Sequence, residues 1–352
     1  MTEAAAIALG EHRIGGSAAC FVIAEAGVNH NGDLDLARRL IDAAAAAGAD
    51  AVKFQTFSAE RIATRDAPKA AYQKRTTSAG ESQYAMLRRL ELSEKAHRIL
   101  MDHCRARGIM FLSSPFDERS ADLLESLGVA GFKIPSGEIT NLPFLAHVAA
   151  KQRPLIMSSG MSDLTEVVAA VETCAATGNR DIVLLHCLSD YPADPAETNL
   201  RAMATMAEAC SLPVGFSDHT DGTAITLAAV ALGACAIEKH FTLDRNLPGP
   251  DHLASLEPDA LTAMMQQIRA VESALGDGRK RPQPSELTTR AVARKSLVAA
   301  RDLPSGVTLA AADLAALRPG TGLSPALTGQ VIGRRTRRRI RTGTPLVWEM
   351  LD

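Results

Sequence analysis

The 352-residue chain has no excess of charge of either sign, with a formal net charge of −2. That removes the global electrostatic case for binding nucleic acid or an anionic membrane. It has no apolar run near the roughly 20 residues that a membrane span needs. The opening residues, MTEAAAIALGEHRIGG, lack a basic segment and carry only a short apolar run, so they do not read as a secretory signal. Cysteine is scarce and unpatterned. Cys20, Cys104, Cys174, Cys187, Cys210 and Cys235 include no C-x-x-C pair, which points to reduced thiols in a cytoplasmic protein and against a disulfide framework. No G-x-G-x-x-G follows the first apolar run, so the dinucleotide fingerprint is missing.

What is present is alternation, in a composition ordinary for a soluble globular protein (46% hydrophobic, 22% charged). Short Val/Ile/Phe-rich runs are each followed by a longer Ala/Leu-rich amphipathic segment. The pattern predicts strands at 21–27, 51–56, 109–116, 131–137, 154–160, 182–187, 212–219 and 236–241. It predicts helices at 33–47, 93–107, 119–127, 142–150, 163–176, 199–209, 222–233 and 258–275, with Ser93, Asp163 and Asn199 as N-caps. Glycines at 48 and 233 suit helix C-termini. Eight β–α units in a row predict an α/β fold, a (β/α)₈ barrel, over residues 1–275; an open doubly wound sheet is the alternative. A polar insert at 57–92, with Tyr72, Gln73, Lys74 and Arg75, is placed to cover the catalytic face. GDGRKRPQPSE opens a linker, 276–289, and 290–352 reads as a small β-rich domain. Its basic run RRTRRRIR, 334–341, reads as a solvated face or subunit contact.

The stretch AIEKHF, 236–241, places three ionisable groups at the end of a strand that otherwise reads as buried. Other strands share this habit. Their ends supply Glu25, Asn29 and His30; Lys53 and Gln55; Ser113 and Ser114; Lys133, Ser136 and Glu138; Ser158 and Ser159; His186; Ser217, Asp218 and His219; and Glu238, Lys239 and His240. In a barrel the C-terminal strand ends build the active site. A lone strand-end histidine is usually a structural residue; polar termini on eight strands need another cause. His219 and His240 end neighbouring strands, where two neutral imidazoles can hold a divalent first-row metal. Lys53 and Lys133, with serines nearby, suit a phosphate or carboxylate cradle. The alternative for the lysines is a buried pair with Glu25 or Glu138. Glu138 beside the cradle suits a general acid or base.

FVIAEAGVNHNG, VKFQTF, FLSSPFD, FKIPSGEITN, SSGM, GFSDHT, IEKHFTLDRNLPGPDH and RPGTGLSP, taken in order, resemble the sialic acid synthase family. The resemblance runs from about residue 20 to the C-terminus. It implies a TIM barrel followed by an antifreeze-like (SAF) domain. It implies condensation of phosphoenolpyruvate with N-acetylmannosamine or a related 2-acetamido sugar, to give a nonulosonic (sialic) acid and phosphate. It implies a divalent metal, typically Mn²⁺ with Mg²⁺ or Co²⁺ as alternatives, on His219 and His240. Lys53, Lys133, Ser136, Ser158 and Ser217 match phosphoenolpyruvate contacts, and Glu138 an acid/base near the attacking water. Glu25, Tyr191 and Asp251 match residues around the sugar, with Gln55 and Ser114 as further substrate contacts. Arg318 matches an arginine delivered to the barrel of a partner in a domain-swapped homodimer.

Two positions depart from the pattern. Ser114 stands where many relatives have Thr, and both offer a hydroxyl. Ser189 and Asp190, in HCLSDYP, stand where many sialic acid synthases have an Asn and an apolar residue. That loop contacts the sugar, so a legionaminic or pseudaminic acid synthase, acting on a diacetamido trideoxy sugar, is the alternative. A Schiff-base aldolase working through Lys133 is a further enzyme reading. A sugar- or ice-binding protein is the non-enzyme one, and the polar ring argues against it.

Overall fold

The computed structural model describes residues 5–70, 73, 74, 77 and 80–352. It divides into two compact units, Met1–Gly276 and Asp277–Asp352.

The first unit opens with a hairpin that lies outside the predicted alternation. β1 (Ile7–Leu9) pairs antiparallel with β2 (His12–Ile14). Gly10 takes the left-handed conformation its turn requires, with φ +57°. Eight parallel strands follow: β3 (Phe21–Gly27), β4 (Ala51–Thr56), β5 (Met110–Pro115), β6 (Phe132–Ile134), β7 (Leu155–Ser158), β8 (Ile182–Cys187), β9 (Val214–Asp218) and β10 (Ala236–His240). They are ordered β5-β4-β3-β10-β9-β8-β7-β6. The two end strands of that order, β5 and β6, are consecutive in the chain and lie side by side, so the sheet curls into a near-closed barrel. A helix follows every strand, as parallel pairing demands.

Strand parity then decides where each side chain goes. Ile23, Ala51, Leu112, Ile156, Val183, Leu185 and Ala236 fill the barrel interior together with Leu9 and Ile14 of the hairpin. The hairpin therefore plugs the N-terminal end. Their neighbours of opposite parity, among them Val22, Val52, Phe132, Met157, Leu184, Phe216 and Ile237, pack under the helices. Each fully buried aliphatic of this kind contributes roughly 1.5–3 kcal/mol of transfer free energy. With the lower interior apolar, the polar inward positions cluster at the C-terminal ends.

Local signals explain most boundaries. The Ser93 hydroxyl accepts from the Ala96 N–H at the start of helix Glu94–Arg107, and Asp163 forms a capping box with Glu166 before Leu164–Ala176. Asn199 is not a cap. It sits at φ +45°, and helix Ala202–Cys210 begins after Arg201 without a side-chain cap. The insert after β4 carries helices Ala59–Ile62 and Gln83–Arg88. Phe57, Met86 and Leu90 pack there with Val28, just beyond β3, so this segment lies at the C-terminal end of the barrel. Tyr72 and Arg75 lie outside the described residues; Gln73 is buried and Lys74 exposed.

In the second unit, β11 (Ser296–Ala299) pairs antiparallel with β12 (Leu314–Leu317) over a core that includes Leu297, Leu303, Val331 and Leu346. The run at 345–351 supplies isolated bridges and a short 3₁₀ turn, not a strand. In the basic run, Thr336 and Ile340 are buried while all six arginines are exposed. Arg339 pairs with Asp302 at 2.9 Å, and Arg334 lies over the Trp348 ring at 5.0 Å. That is a solvated face in which the arginines find local partners. Among the described residues no helix is long and apolar enough to cross a membrane, and all six cysteines are unpaired.

Candidate active site

The inward parity selects a single set from the polar strand ends. Glu25 on β3, Lys53 and Gln55 on β4, Ser114 on β5, Lys133 on β6, Ser158 on β7, Cys187 on β8, Ser217 on β9, and Glu238 and His240 on β10 share it. Their outward neighbours serve packing. Ser113 bonds Thr56, which in turn bonds His97; His186 bonds the Thr198 carbonyl at 2.6 Å and lies against Phe216; Ser159 donates to the Leu185 carbonyl. Asn29 donates to the Phe241 carbonyl and to Ser255. Ser113, Ser159 and His186 therefore drop out of the polar ring, because one residue of offset along a strand reverses the face; Asn29 drops out because it lies in the turn beyond β3, which it ties to Phe241 and Ser255.

Two ammonium groups anchor the site. Lys53 Nζ lies 2.7 Å from Glu25 Oε2 and donates to Ser114 Oγ at 3.2 Å. Lys133 Nζ donates to Ser158 Oγ at 2.6 Å and to the Ile134 carbonyl at 3.1 Å. Glu238 joins them: its carboxylate lies 3.7 Å from each Nζ and accepts from Ser217 Oγ at 2.8 Å. The Lys–Glu pairing anticipated as the alternative to a cradle is thus present, with Glu25 and not Glu138. Both lysines are nonetheless aligned with hydroxyls at the mouth of the barrel. Glu238, one of the three ionisable groups of AIEKHF, is a candidate active-site residue to which the sequence alone assigns no role. The signal was there, since it shares parity with His240 two residues on, whereas Lys239 faces the other way.

Burial sets the protonation pattern and neighbouring charge modifies it. Burial lifts Glu25 to about 7 against the pull of Lys53. It works the same way on Glu238, but Lys133 and Lys53 outweigh it and draw that carboxyl down to about 2. Burial opposes the Lys53 charge, which Glu238 and then Glu25 restore and raise; Lys133 is lowered by burial. Asp251, also buried, is pushed up to about 6. Glu138 stands in a 3₁₀ turn, Ser136–Glu138, where burial raises it while Asn141 donates to it at 2.7 Å.

Beside the lysines stand the imidazoles. The His219 and His240 ring centres are 5.5 Å apart, and Tyr191 packs on both, at 4.1 and 5.6 Å. Nδ1 of His219 lies 2.7 Å from the Leu188 carbonyl. In the neutral ring, a proton on that nitrogen leaves Nε2 with its lone pair. His240 is lowered well below its ordinary value by burial, so its ring is neutral, and its buried Nδ1 has no hydrogen-bond partner. Cys187 Sγ is 3.9 Å from His219 Nδ1. Burial raises this thiol, but a protonated His219 outweighs it and brings the group to about 7; burial likewise opposes the His219 charge, which Cys187 in turn restores and raises. Among the described residues no three His, Cys, Asp or Glu side chains cluster as a closed metal site. Two imidazoles, one oriented by a backbone carbonyl and one left unpartnered, nonetheless fit a divalent first-row ion that keeps open positions.

The remaining candidates lie around this centre. Gln55 Nε2 donates to Glu25 Oε1 at 3.4 Å. Ser136 Oγ accepts from the Gly160 N–H at 3.0 Å, and a Cβ on Gly160 would collide with the Ser189 and Ser136 hydroxyls. Ser189 thus faces the Ser136 side, while Asp190 is exposed and accepts from the Tyr191 N–H. Arg318 belongs to the second unit, where it is exposed and donates to the Ala293 carbonyl at 3.0 Å.

Comparison with known proteins is consistent along the chain. Residues 40–280 match the NeuB family and residues 294–352 the SAF domain. The chain is 49% identical over 342 residues to the N,N'-diacetyllegionaminic acid synthase of Legionella pneumophila, covering 96% of each. It is 50% identical over 315 residues to the same-named enzyme of Campylobacter jejuni, covering 89% of this chain and 94% of that one. Among solved structures it resembles the N-acetylneuraminic acid synthetase of Leptospira borgpetersenii, determined in complex with citrate. The TM-score is 0.73 and the identity 36%, over 82% of this chain and 95% of that one.

Proposed function

The chain belongs to the NeuB family and carries a SAF domain, and from that premise we propose that it condenses phosphoenolpyruvate with a diacetamido trideoxy hexose to form a nonulosonic acid of the legionaminic type. The observation that carries the chemistry is the pair of buried lysines, each bonded to a serine and bridged by Glu238, beside two neutral-capable imidazoles. The choice of acceptor rests on two relatives, at 49% and 50% identity, that are both named N,N'-diacetyllegionaminic acid synthases. It also fits Ser189 and Asp190 in the loop after β8. N-acetylmannosamine is the second acceptor to test.

Lys53 and Lys133, with Ser114, Ser136 and Ser158, hold the phosphate and carboxylate of phosphoenolpyruvate through charge-assisted hydrogen bonds. Glu25, Gln55, Tyr191 and Asp251 surround the open-chain sugar. His219 and His240 would hold the divalent ion, which supplies Lewis-acid polarisation of the aldehyde. The methylene carbon of phosphoenolpyruvate bonds to sugar C1, and water adds at the former enol carbon. Phosphate leaves with the bridging oxygen. One water proton ends on the new hydroxyl and the other on phosphate, so atoms and charge balance. Glu25, near 7, is suited to pass a proton to the aldehyde oxygen, and Glu138 to take one from water.

A second reading is a Schiff-base aldolase, favoured by one fact: burial lowers Lys133, which makes it a better nucleophile. Phosphate release from phosphoenolpyruvate, measured with Mn²⁺ and a panel of acetamido sugars, tests the proposal. Release dependent on a diacetamido sugar supports it. A covalent adduct with pyruvate after borohydride, without phosphate release, selects the aldolase.

A further inference from the structure

The outward faces of β9 and β10 hold a charged cluster that the proposed chemistry does not touch. Asp218 and Lys239 are register partners across these two strands, and each is 1% exposed. Lys239 Nζ donates to Asp218 Oδ2 at 2.9 Å and to the Thr220 carbonyl at 2.6 Å. Thr226 Oγ1, from helix Ala224–Ala231, donates to Asp218 Oδ2 at 2.5 Å. Asp218 Oδ1 accepts from the Thr220 N–H and hydroxyl at 2.8 and 2.7 Å. Four donors therefore meet one carboxylate in the layer between sheet and helix.

A buried ion pair of this kind is a poor source of stability, since an apolar pair of similar volume is often as good or better. What it supplies is direction and register. Here the thing registered is specific. Asp218 immediately precedes His219, and Lys239 immediately precedes His240. Thr220, on the other side of His219, is held in the same cluster through its N–H, hydroxyl and carbonyl. His219 is thus bracketed from behind on both sides, and its strand is tied to the one that carries His240.

We propose that Asp218, Lys239, Thr220 and Thr226 form a positioning clamp that fixes the separation and orientation of His219 and His240, and thereby sets their affinity for a divalent cation. This rests on the reading of the two histidines as metal ligands. The four residues lie outside the cavity, so they act through the imidazoles and not on substrate.

Mn²⁺ binding to the metal-free full-length protein, read from the electron paramagnetic resonance signal of the free ion, tests the clamp without turnover. Asp218→Asn/Lys239→Met removes both charges at similar volume. It should unfold cooperatively, bind phosphoenolpyruvate in the absence of metal as the parent does, and bind Mn²⁺ roughly 10- to 100-fold more weakly. Thr226→Val deletes one hydrogen bond and no charge; it should weaken Mn²⁺ binding a few-fold, and Thr226→Ser should restore it. Parental Mn²⁺ affinity in Asp218→Asn/Lys239→Met overturns the clamp, and if that variant does not fold, parental affinity in Thr226→Val does so. Mn²⁺ affinity that stays parental in both but is lost in His240→Ala sinks the clamp alone. No Mn²⁺ binding in the parent overturns the metal reading, and the clamp with it.

Discussion

At the scale of single residues, the site depends on charges that burial would extinguish if they stood alone. Glu238 stays ionised because Lys133 and Lys53 flank it, and Lys53 stays charged because Glu238 and Glu25 do. Removing one member should therefore cost more than one contact. Lys133→Met is expected to raise KM for phosphoenolpyruvate roughly 30- to 150-fold, the equivalent of losing about 2–3 kcal/mol of charged hydrogen bonding. Steady-state kinetics at saturating sugar would show it, and an unchanged KM would remove Lys133 from the cradle. His240→Ala should keep the fold, by circular dichroism and thermal unfolding, and lose most metal-dependent turnover. Full activity with unchanged metal dependence would remove it as a ligand.

At the scale of elements, most of the barrel was legible because parallel strands and crossover helices write different periods into the sequence. All eight strand cores appear where the apolar runs predicted them, and the helix after Asp163 begins at its capping box. Asp163→Ala should cost about 1 kcal/mol in a urea titration and leave kcat alone. What was not legible has identifiable causes. The hairpin at Ile7–Ile14 is two three-residue strands, too short for a period to register. The polar strand ends were visible, but sorting Glu238 and Cys187 inward from His186 and Lys239 outward needed the exact parity of each strand. The loop after β3 carries a further consequence. His30 is buried, its Nδ1 accepts from the Gly32 N–H, and burial lowers the group to about 4 from 6.5. The folded value lies below the unfolded one, so the unfolded chain binds more protons between them. Stability from a neutral His30 is complete above about pH 6.5 and is lost as pH falls toward 4. Relative to His30→Gln, the parent should lose up to about 3 kcal/mol over that window. Urea midpoints of the pair measured at pH 8 and pH 4.5 would show this, and a constant gap would contradict it.

At the scale of the molecule, the barrel supplies an apolar floor, a ring of inward polar termini and a C-terminal rim, while the SAF unit carries Arg318, exposed on its own surface. We propose that the chain forms a paired assembly in which that arginine serves a partner's site. Mixed dimers of Arg318→Ala with His240→Ala should recover part of the activity that each homodimer lacks; no recovery would place Arg318 outside the chemistry of a partner. We propose that this chain joins phosphoenolpyruvate to a diacetamido trideoxy hexose with cleavage of the C–O bond. The most direct test is mass spectrometry of a single reaction with Mn²⁺, the diacetamido trideoxy mannose analogue and phosphoenolpyruvate labelled with ¹⁸O at the bridging oxygen. The expected result is a new nonulosonic acid without label and phosphate that carries all of it. Label retained in the sugar acid, or no product from this acceptor while N-acetylmannosamine is consumed, would contradict it.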